Sequence, residues 1–363
     1  MKVNYPYLYL AFFLLLNIFN FVDRNLLIAF APQIKSEFNL TNVQWGLLTG
    51  VYFLFFYSVF GIFMGVLGDK FSRMKIAAVG VFLWSLMTAF TGVAKNFSHL
   101  IVARALIGVG ESALTPNAIS MLSDLFKQNQ RGTASAIYYL GIPLGVGFGM
   151  LIAAFFGPAY GWRSVFITLG LIGMGLGILT YFLLEPRRGQ LDISFDEDNK
   201  STSIRDIISM TKHALYNSKC LTFVIIGSIF LHIPLGAGNF EVLWAVNERG
   251  FTASSYNSLF GIFFILGGTV GAVLGGVLSD RISHYFKGGV MTFLVISYLI
   301  LTPLTISYRF ISPETNFFYL TLFFVSFNVT FFYGPVFASV QELTPIKVRS
   351  TMVAVFILSL IHI

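Results

Sequence analysis

Four ionisable residues stand inside stretches built mostly of Phe, Leu, Ile, Val, Ala and Gly. Asp23 and Arg24 lie in "NIFNFVDRNLL" (17–27), and Arg104 and Glu111 bracket "RALIGVGE" (104–111). A carboxylate can take up and release a proton, and a guanidinium can grip a phosphate or carboxylate through two parallel hydrogen bonds. A charge at mid-bilayer costs about 2.5–3.5 kcal/mol on insertion scales, so intramembrane charges face partners or water. The four sum to zero. With the first span running outward and the fourth inward, Asp23 and Arg104 both fall about 10 Å below the outer boundary at 1.5 Å per residue. They can therefore pair. Glu111 lies seven residues past Arg104, about 10 Å deeper on the same helix face. Asp23, Glu111 and Arg104 are thus candidates for moving a proton, and Arg24 and Arg104 for holding an anion. The alternative is a static pair that locks the first span to the fourth.

These charges need spans to carry them. The chain of 363 residues is 56% hydrophobic and 11% charged, less than half the charge of an ordinary soluble domain, about 25%. Apolar runs long enough to cross about 30 Å of hydrocarbon fall near 7–30, 44–68, 75–95, 98–122, 132–156, 163–184, 219–246, 254–279, 288–308 and 315–340, and an eleventh starts near 350. Residues 7–22 are not read as a signal peptide, because no small-residue cleavage site follows. With the N-terminus inside, inner segments hold 16 Lys and Arg and outer loops five. That bias is the positive-inside pattern. The net charge of +7 therefore reports topology and not a nucleic-acid partner, and a multi-pass protein of the cell membrane with a cytoplasmic N-terminus is expected. Cys220 is the single cysteine, which excludes an intramolecular disulfide framework and a Cys-based metal site.

The chain divides into residues 1–185 with six spans, a hydrophilic linker at 186–218, and residues 219–363 with an unfinished second set. Within the linker, Ser203 and Asp206 have the spacing of a capping box. Ile204, Ile207, Ile208, Thr211 and Leu215 share a face, as in a helix lying on the inner leaflet. The halves repeat. "GVLGDKFSRMK" (65–75) returns as "GGVLSDRISHYFK" (275–287), which places Asp69 over Asp280; Asp124 and Arg131 similarly fall over Glu342 and Arg349. Such a repeat is the mark of a secondary transporter. It also implies about 40 further residues, completing an eleventh and a twelfth span.

In "GVLGDKFSRMK", Gly65 and Gly68 permit close helix approach, and Asp69 and Arg73 can pair or complement helix ends. With Asp280 and Arg281 they form a candidate gating motif. The Gly-Asp-basic loop and its repeat resemble the major facilitator superfamily. Within it, "NFVDRNLL", "RALIGVGESALTP" (104–116), "SDLFKQNQRGTASAIYYLGIPLG" (123–145) and "EPRRG" (185–189) resemble the bacterial branch of the Spinster-like lipid transporters. The resemblance covers roughly residues 9–310. It implies an all-α polytopic membrane protein with two six-helix bundles, the second truncated, so that 10–11 transmembrane helices are present. It also implies that the first, fourth, seventh and tenth spans line a central cavity, and that two bundles rock about a central site. The anion–cation symporters of organic acids share the helix-1 Asp-Arg pair and the helix-4 Gly-Glu, and are the nearest alternative.

In the seventh span Glu241 sits at the repeat position of Asp23, where the family pattern is apolar or aromatic. It is a candidate substrate contact, and either a second proton site or a hydrated residue near the outer mouth. Asn328 of the tenth span is another candidate substrate contact. Leu322 and Val329 occupy the repeat positions of Arg104 and Glu111, in a stretch where nine of seventeen residues, 317–333, are Phe or Tyr. Those rings would form a greasy cavity wall or face lipid. No Gly-Lys dipeptide occurs, which excludes a P-loop, and the five histidines show no metal-ligand spacing. The expectation is no enzyme, no cofactor and no metal. It is a monomeric, proton-coupled transporter in the lipid bilayer for a small amphiphilic anion, such as a lysophospholipid or sphingoid phosphate. An organic-anion symporter, an intramembrane enzyme and a non-transporting fragment are the alternatives.

Overall fold

The computed structural model describes residues 5–127, 130–188, 204–344, 352 and 356, which are helical almost throughout, with no strand among them. In chain order the helices are α1 (Pro6–Ala29), α2 (Ala31–Glu37), α3 (Asn42–Gly46), α4 (Tyr52–Lys70), α5 (Arg73–Gly92), α6 (Phe97–Glu111), α7 (Leu114–Leu125), α8 (Arg131–Tyr139), α9 (Gly141–Phe182), α10 (Ile204–Asn217), α11 (Lys219–Ala237), α12 (Glu241–Arg249), α13 (Ala253–Ile282), α14 (Gly289–Ser307), α15 (Asn316–Phe331) and α16 (Tyr333–Glu342). In hydrocarbon every backbone polar group must be satisfied internally, and the helix does this within one segment.

Eight described helical segments are long and apolar enough to cross a membrane. The segment 131–182 holds two of the expected spans, because the chain turns at Gly161, where φ is +74°. The expected seventh span is divided. A 3₁₀ turn at Gly238–Phe240 separates α11 from α12. Each of the ten expected spans thus has a helical counterpart. The eleventh apart from Met352 and Phe356, the linker residues 189–203 with Ser203 of the proposed capping box, and Arg349 lie outside the described residues, as do the side chains of Asp206 and Glu342.

Two compact units divide the chain: Met1–Phe195 with Asn239–Gly261, and Asp196–Gly238 with Ile262–Ile363. The first unit therefore includes a hairpin from beyond the linker. Hydrogen bonds explain why. Trp45 Nε1 donates to the Asn239 carbonyl at 2.9 Å, Asn257 Nδ2 to that of Ala29 at 3.0 Å, and Ser254 Oγ to that of Ala154 at 2.7 Å.

The first unit's core gathers Phe13, Leu16, Phe53, Trp84, Ile107, Met121 and Tyr138. The second unit's core gathers Leu221, Phe293, Phe327, Phe331, Val340, Met352 and Phe356. Large apolar side chains such as Phe63, Phe155 and Leu299 point outward, as suits a lipid solvent.

The aromatic stretch of α15 is only partly turned outward, with Phe317 exposed. Phe318, Phe327, Phe331 and Phe332 are buried, and Phe323, Phe327 and Phe331 stack in a column with centroid separations of 6.3 and 5.1 Å. Opposite them α13 carries Gly267, Gly271 and Gly275. A Cβ on Gly267 would come within 2.7 Å of the Phe323 carbonyl oxygen, and one on Gly271 or Gly275 would strike those of Phe327 and Phe331. Small residues four apart let the two backbones meet. The backbone of α15 is therefore packed against α13, with the Phe323 ring beside Gly267.

Candidate functional site

Consecutive residues on a helix diverge by about 100°, so Asp23 and Arg24 of α1 face different neighbours. Asp23 is buried against α5. Its Oδ2 lies 2.5 Å from Thr88 Oγ1, which is also 2.9 Å from the Trp84 carbonyl oxygen. The hydroxyl has one proton and can serve one of these acceptors at a time. Asp23 Oδ1 and Ser85 Oγ, both buried, have no hydrogen-bond partner. Both residues line a cavity of about 10 Å³ bounded by Trp84, Thr88 and Leu169, space for one water.

Arg24 turns the other way. Its Nε donates to Glu111 Oε2 at 2.5 Å, and the Glu111 side chain is fully buried. The Arg24 guanidinium lies 4.9, 4.8 and 4.6 Å from the ring centroids of Phe21, Phe53 and Tyr57. Arg104, also buried, lies 4.6 Å from the same Phe53 ring, and its Nε has no hydrogen-bond partner. The expected Asp23–Arg104 ion pair is thus not formed, although depth allows it. Asp23 points at α5, and the direct pair is Arg24–Glu111.

Local sequence explains how Glu111 reaches this place. Pro116 lacks an N–H, and its ring clashes with the carbonyl four residues back, at Ser112. Helix α6 accordingly ends at Glu111, and α7 restarts at Leu114. Gly108 and Gly110 bring neighbours close. A Cβ at Gly108 would lie 2.6 Å from the Phe53 carbonyl oxygen, and one at Gly110 2.8 Å from that of Gly80. Thr88, Phe53 and Tyr57 carry no charge, so charge within an apolar run does not mark them. The spacing of Phe53 and Tyr57, four apart on one helix face, was the available signal.

The other candidates fall elsewhere. Glu241, first residue of α12, is buried, and Tyr256 Oη donates to its Oε1 at 2.5 Å. Asn328 is half-buried in the second unit, with its Oδ1 unpartnered. Arg73 is buried and joins elements of its own unit. Its Nη1 donates to Asp124 at 2.5 Å and to Ser120 at 2.9 Å; its Nε donates to Glu185 at 3.0 Å; its Nη2 donates to the Pro186 carbonyl at 3.0 Å. Burial pushes the Glu185 carboxyl up, but hydrogen bonds from Ser72 and Arg73 outweigh it and hold the group below its ordinary value. Gly68 is buried, and a Cβ there would run into Asn117, whereas nothing lies within 4 Å of one at Gly65. Asp280 and Arg281 are exposed in the second unit. The side chain of Asp69 lies outside the described residues.

Residues 13–360 match the Major Facilitator Superfamily. The chain belongs to that superfamily. Its relatives include proteins named spinster and a protein named as a transporter. "Protein spinster" of Drosophila melanogaster is 29% identical over 73% of this chain and 44% of its own length. "Sphingosine-1-phosphate transporter SPNS2" of Danio rerio is 29% identical over 72% of this chain and 54% of its own. The chain spans about half the length of the curated relatives it matches. A crystal structure of a bacterial homolog to the human lysosomal transporter Spinster, inward-facing and unoccupied, superposes with a TM-score of 0.84 at 24% identity. It covers 99% of this chain and 81% of its own, and shares the fold.

Proposed function

We propose that this major facilitator protein is a secondary active transporter that couples protons to the movement of a single-chain amphiphilic anion by alternating access. The observation that carries the reading is the buried Arg24–Glu111 pair beside a second buried arginine and a second buried carboxylate, each with an unpartnered atom. Desolvating a charge costs several kcal/mol unless its partners are in place, so a fixed scaffold gains little from buried charges with unpartnered atoms. A site that exchanges partners uses them. A proton on Glu111 releases Arg24, and Arg24 with Arg104 then holds a phosphate or carboxylate head. A proton on Asp23 frees Thr88 to turn to the Trp84 carbonyl.

The relative named as a sphingosine-1-phosphate transporter supports a lysophospholipid or sphingoid phosphate as the substrate class. Glu241 and Asn328 are proposed as further contacts. Gly65, Gly68, Asp69, Arg73, Asp280 and Arg281 are proposed to govern the inner gate of a monomer in the cell membrane, with the N-terminus on the cytoplasmic side. The test is uptake into proteoliposomes. Saturable accumulation of a lysophospholipid driven by a pH gradient is expected. Competition by short organic acids but not by lysolipids would replace this reading with the organic-anion symporter.

A further inference from the structure

We propose that Phe53 is a positioning residue, whose ring holds the guanidinium groups of Arg24 and Arg104 in place for one anionic head. The proposal rests on the anion reading above. Both guanidinium carbons lie within 5 Å of the Phe53 centroid, so they are at most about 10 Å apart. Two like charges in a low-dielectric interior repel. Glu111 answers one of them through Arg24, whereas Arg104 Nε has no hydrogen-bond partner. The carboxylates of Glu111 and Asp23 attract both cations, and the negative face of an aromatic ring is a further attraction that both share.

The fold fixes this ring. A π-helical turn at Leu47–Val51 immediately precedes α4, and such turns recur at functional sites because they re-aim the residues that follow. Phe53 then stacks on Tyr57 at 5.6 Å, is buried in the first unit's core, and has its backbone seated against Gly108 of α6, four residues past Arg104. The stack on Tyr57 and the surrounding core hold the ring itself.

Charge attraction can be separated from packing by changing the ring's electrons and not its size. Phe53 is replaced by phenylalanine bearing one, two or three ring fluorines in the purified protein in lipid nanodiscs. Lysophosphatidic acid serves as the probe, and Phe53→Tyr as the conservative variant. Affinity should weaken stepwise with each fluorine, to about ten-fold at three, while the thermal midpoint stays level and Phe53→Tyr retains binding. In the same series the ¹⁵Nε resonances of Arg24 and Arg104, assigned by their loss in Arg24→Lys and Arg104→Lys, should shift together. Wild-type binding that does not change with fluorination overturns the role of Phe53 and leaves the anion reading standing. Absence of wild-type binding overturns the anion reading. The paired resonances then decide whether the ring holds both cations, and static resonances overturn that too.

Discussion

Helices α6 and α15 occupy repeat-related positions in the two halves, and they are built on opposite chemistry. Helix α6 carries Arg104 and Glu111, buried and set around Phe53 and Arg24. Helix α15 carries Leu322 and Val329 at those positions, stacks Phe323, Phe327 and Phe331 in a column, and sets its backbone against the glycines of α13. One repeat carries buried charge, and its counterpart carries a packing surface. Repeat-related positions therefore do not carry the same chemistry.

The same contrast runs through the gating motif, and there it can be broken by mutation. Arg73 joins Asp124, Ser120, Glu185 and the Pro186 carbonyl inside its unit. Arg73→Ala removes the cation shared by two carboxylates and is expected to cost about 3–5 kcal/mol, read as lost yield of folded protein. Arg281 is exposed, and Arg281→Ala should change stability by at most about 0.5 kcal/mol. Equal losses in the two variants would erase the difference between the motifs.

A smaller effect tests the apolar side of the comparison. Gly271→Leu sets a side chain against the Phe327 carbonyl and should destabilise by about 1–3 kcal/mol through overpacking. Gly276, with nothing within 4 Å of an added Cβ, should accept leucine. Thermal unfolding in detergent compares the two, and a tolerant Gly271 would mean that the helices do not meet as described.

The smallest effect concerns pH. Glu185 has its carboxyl held below the ordinary value of 4.5. Its contribution is therefore fully present above that value and lost as pH falls through the lowered one. Acid should loosen the Arg73 cluster in the wild type. Glu185→Gln should remove that part of the pH dependence, so an unchanged acid profile in the variant would place the sensitivity elsewhere.

Much of this was legible in the sequence, and the losses have physical causes. Hydropathy located the spans because a bilayer demands long apolar runs. Charge in those runs marked Asp23, Arg24, Arg104 and Glu111 because burying it is costly. Depth along a helix follows from counting residues, but azimuth between helices does not. Asp23 and Arg104 match in depth yet do not pair, since Asp23 faces Thr88 and Arg24 takes Glu111. The π-helical turn that precedes Phe53 left no signal in hydrophobic periodicity, so the shared ring went unseen. The glycines of α13 were visible at a spacing of four, but their partners on α15 were not.

The central claim is that the buried carboxylates exist to carry protons and not merely to hold α1 against its neighbours. The direct measurement is transport by Asp23→Asn and Glu111→Gln in proteoliposomes, with uphill accumulation under a pH gradient and downhill exchange measured on the same preparations. The account predicts that each variant loses accumulation and keeps exchange. Uphill accumulation with wild-type pH dependence in both variants would contradict it and leave Arg24–Glu111 as a static lock.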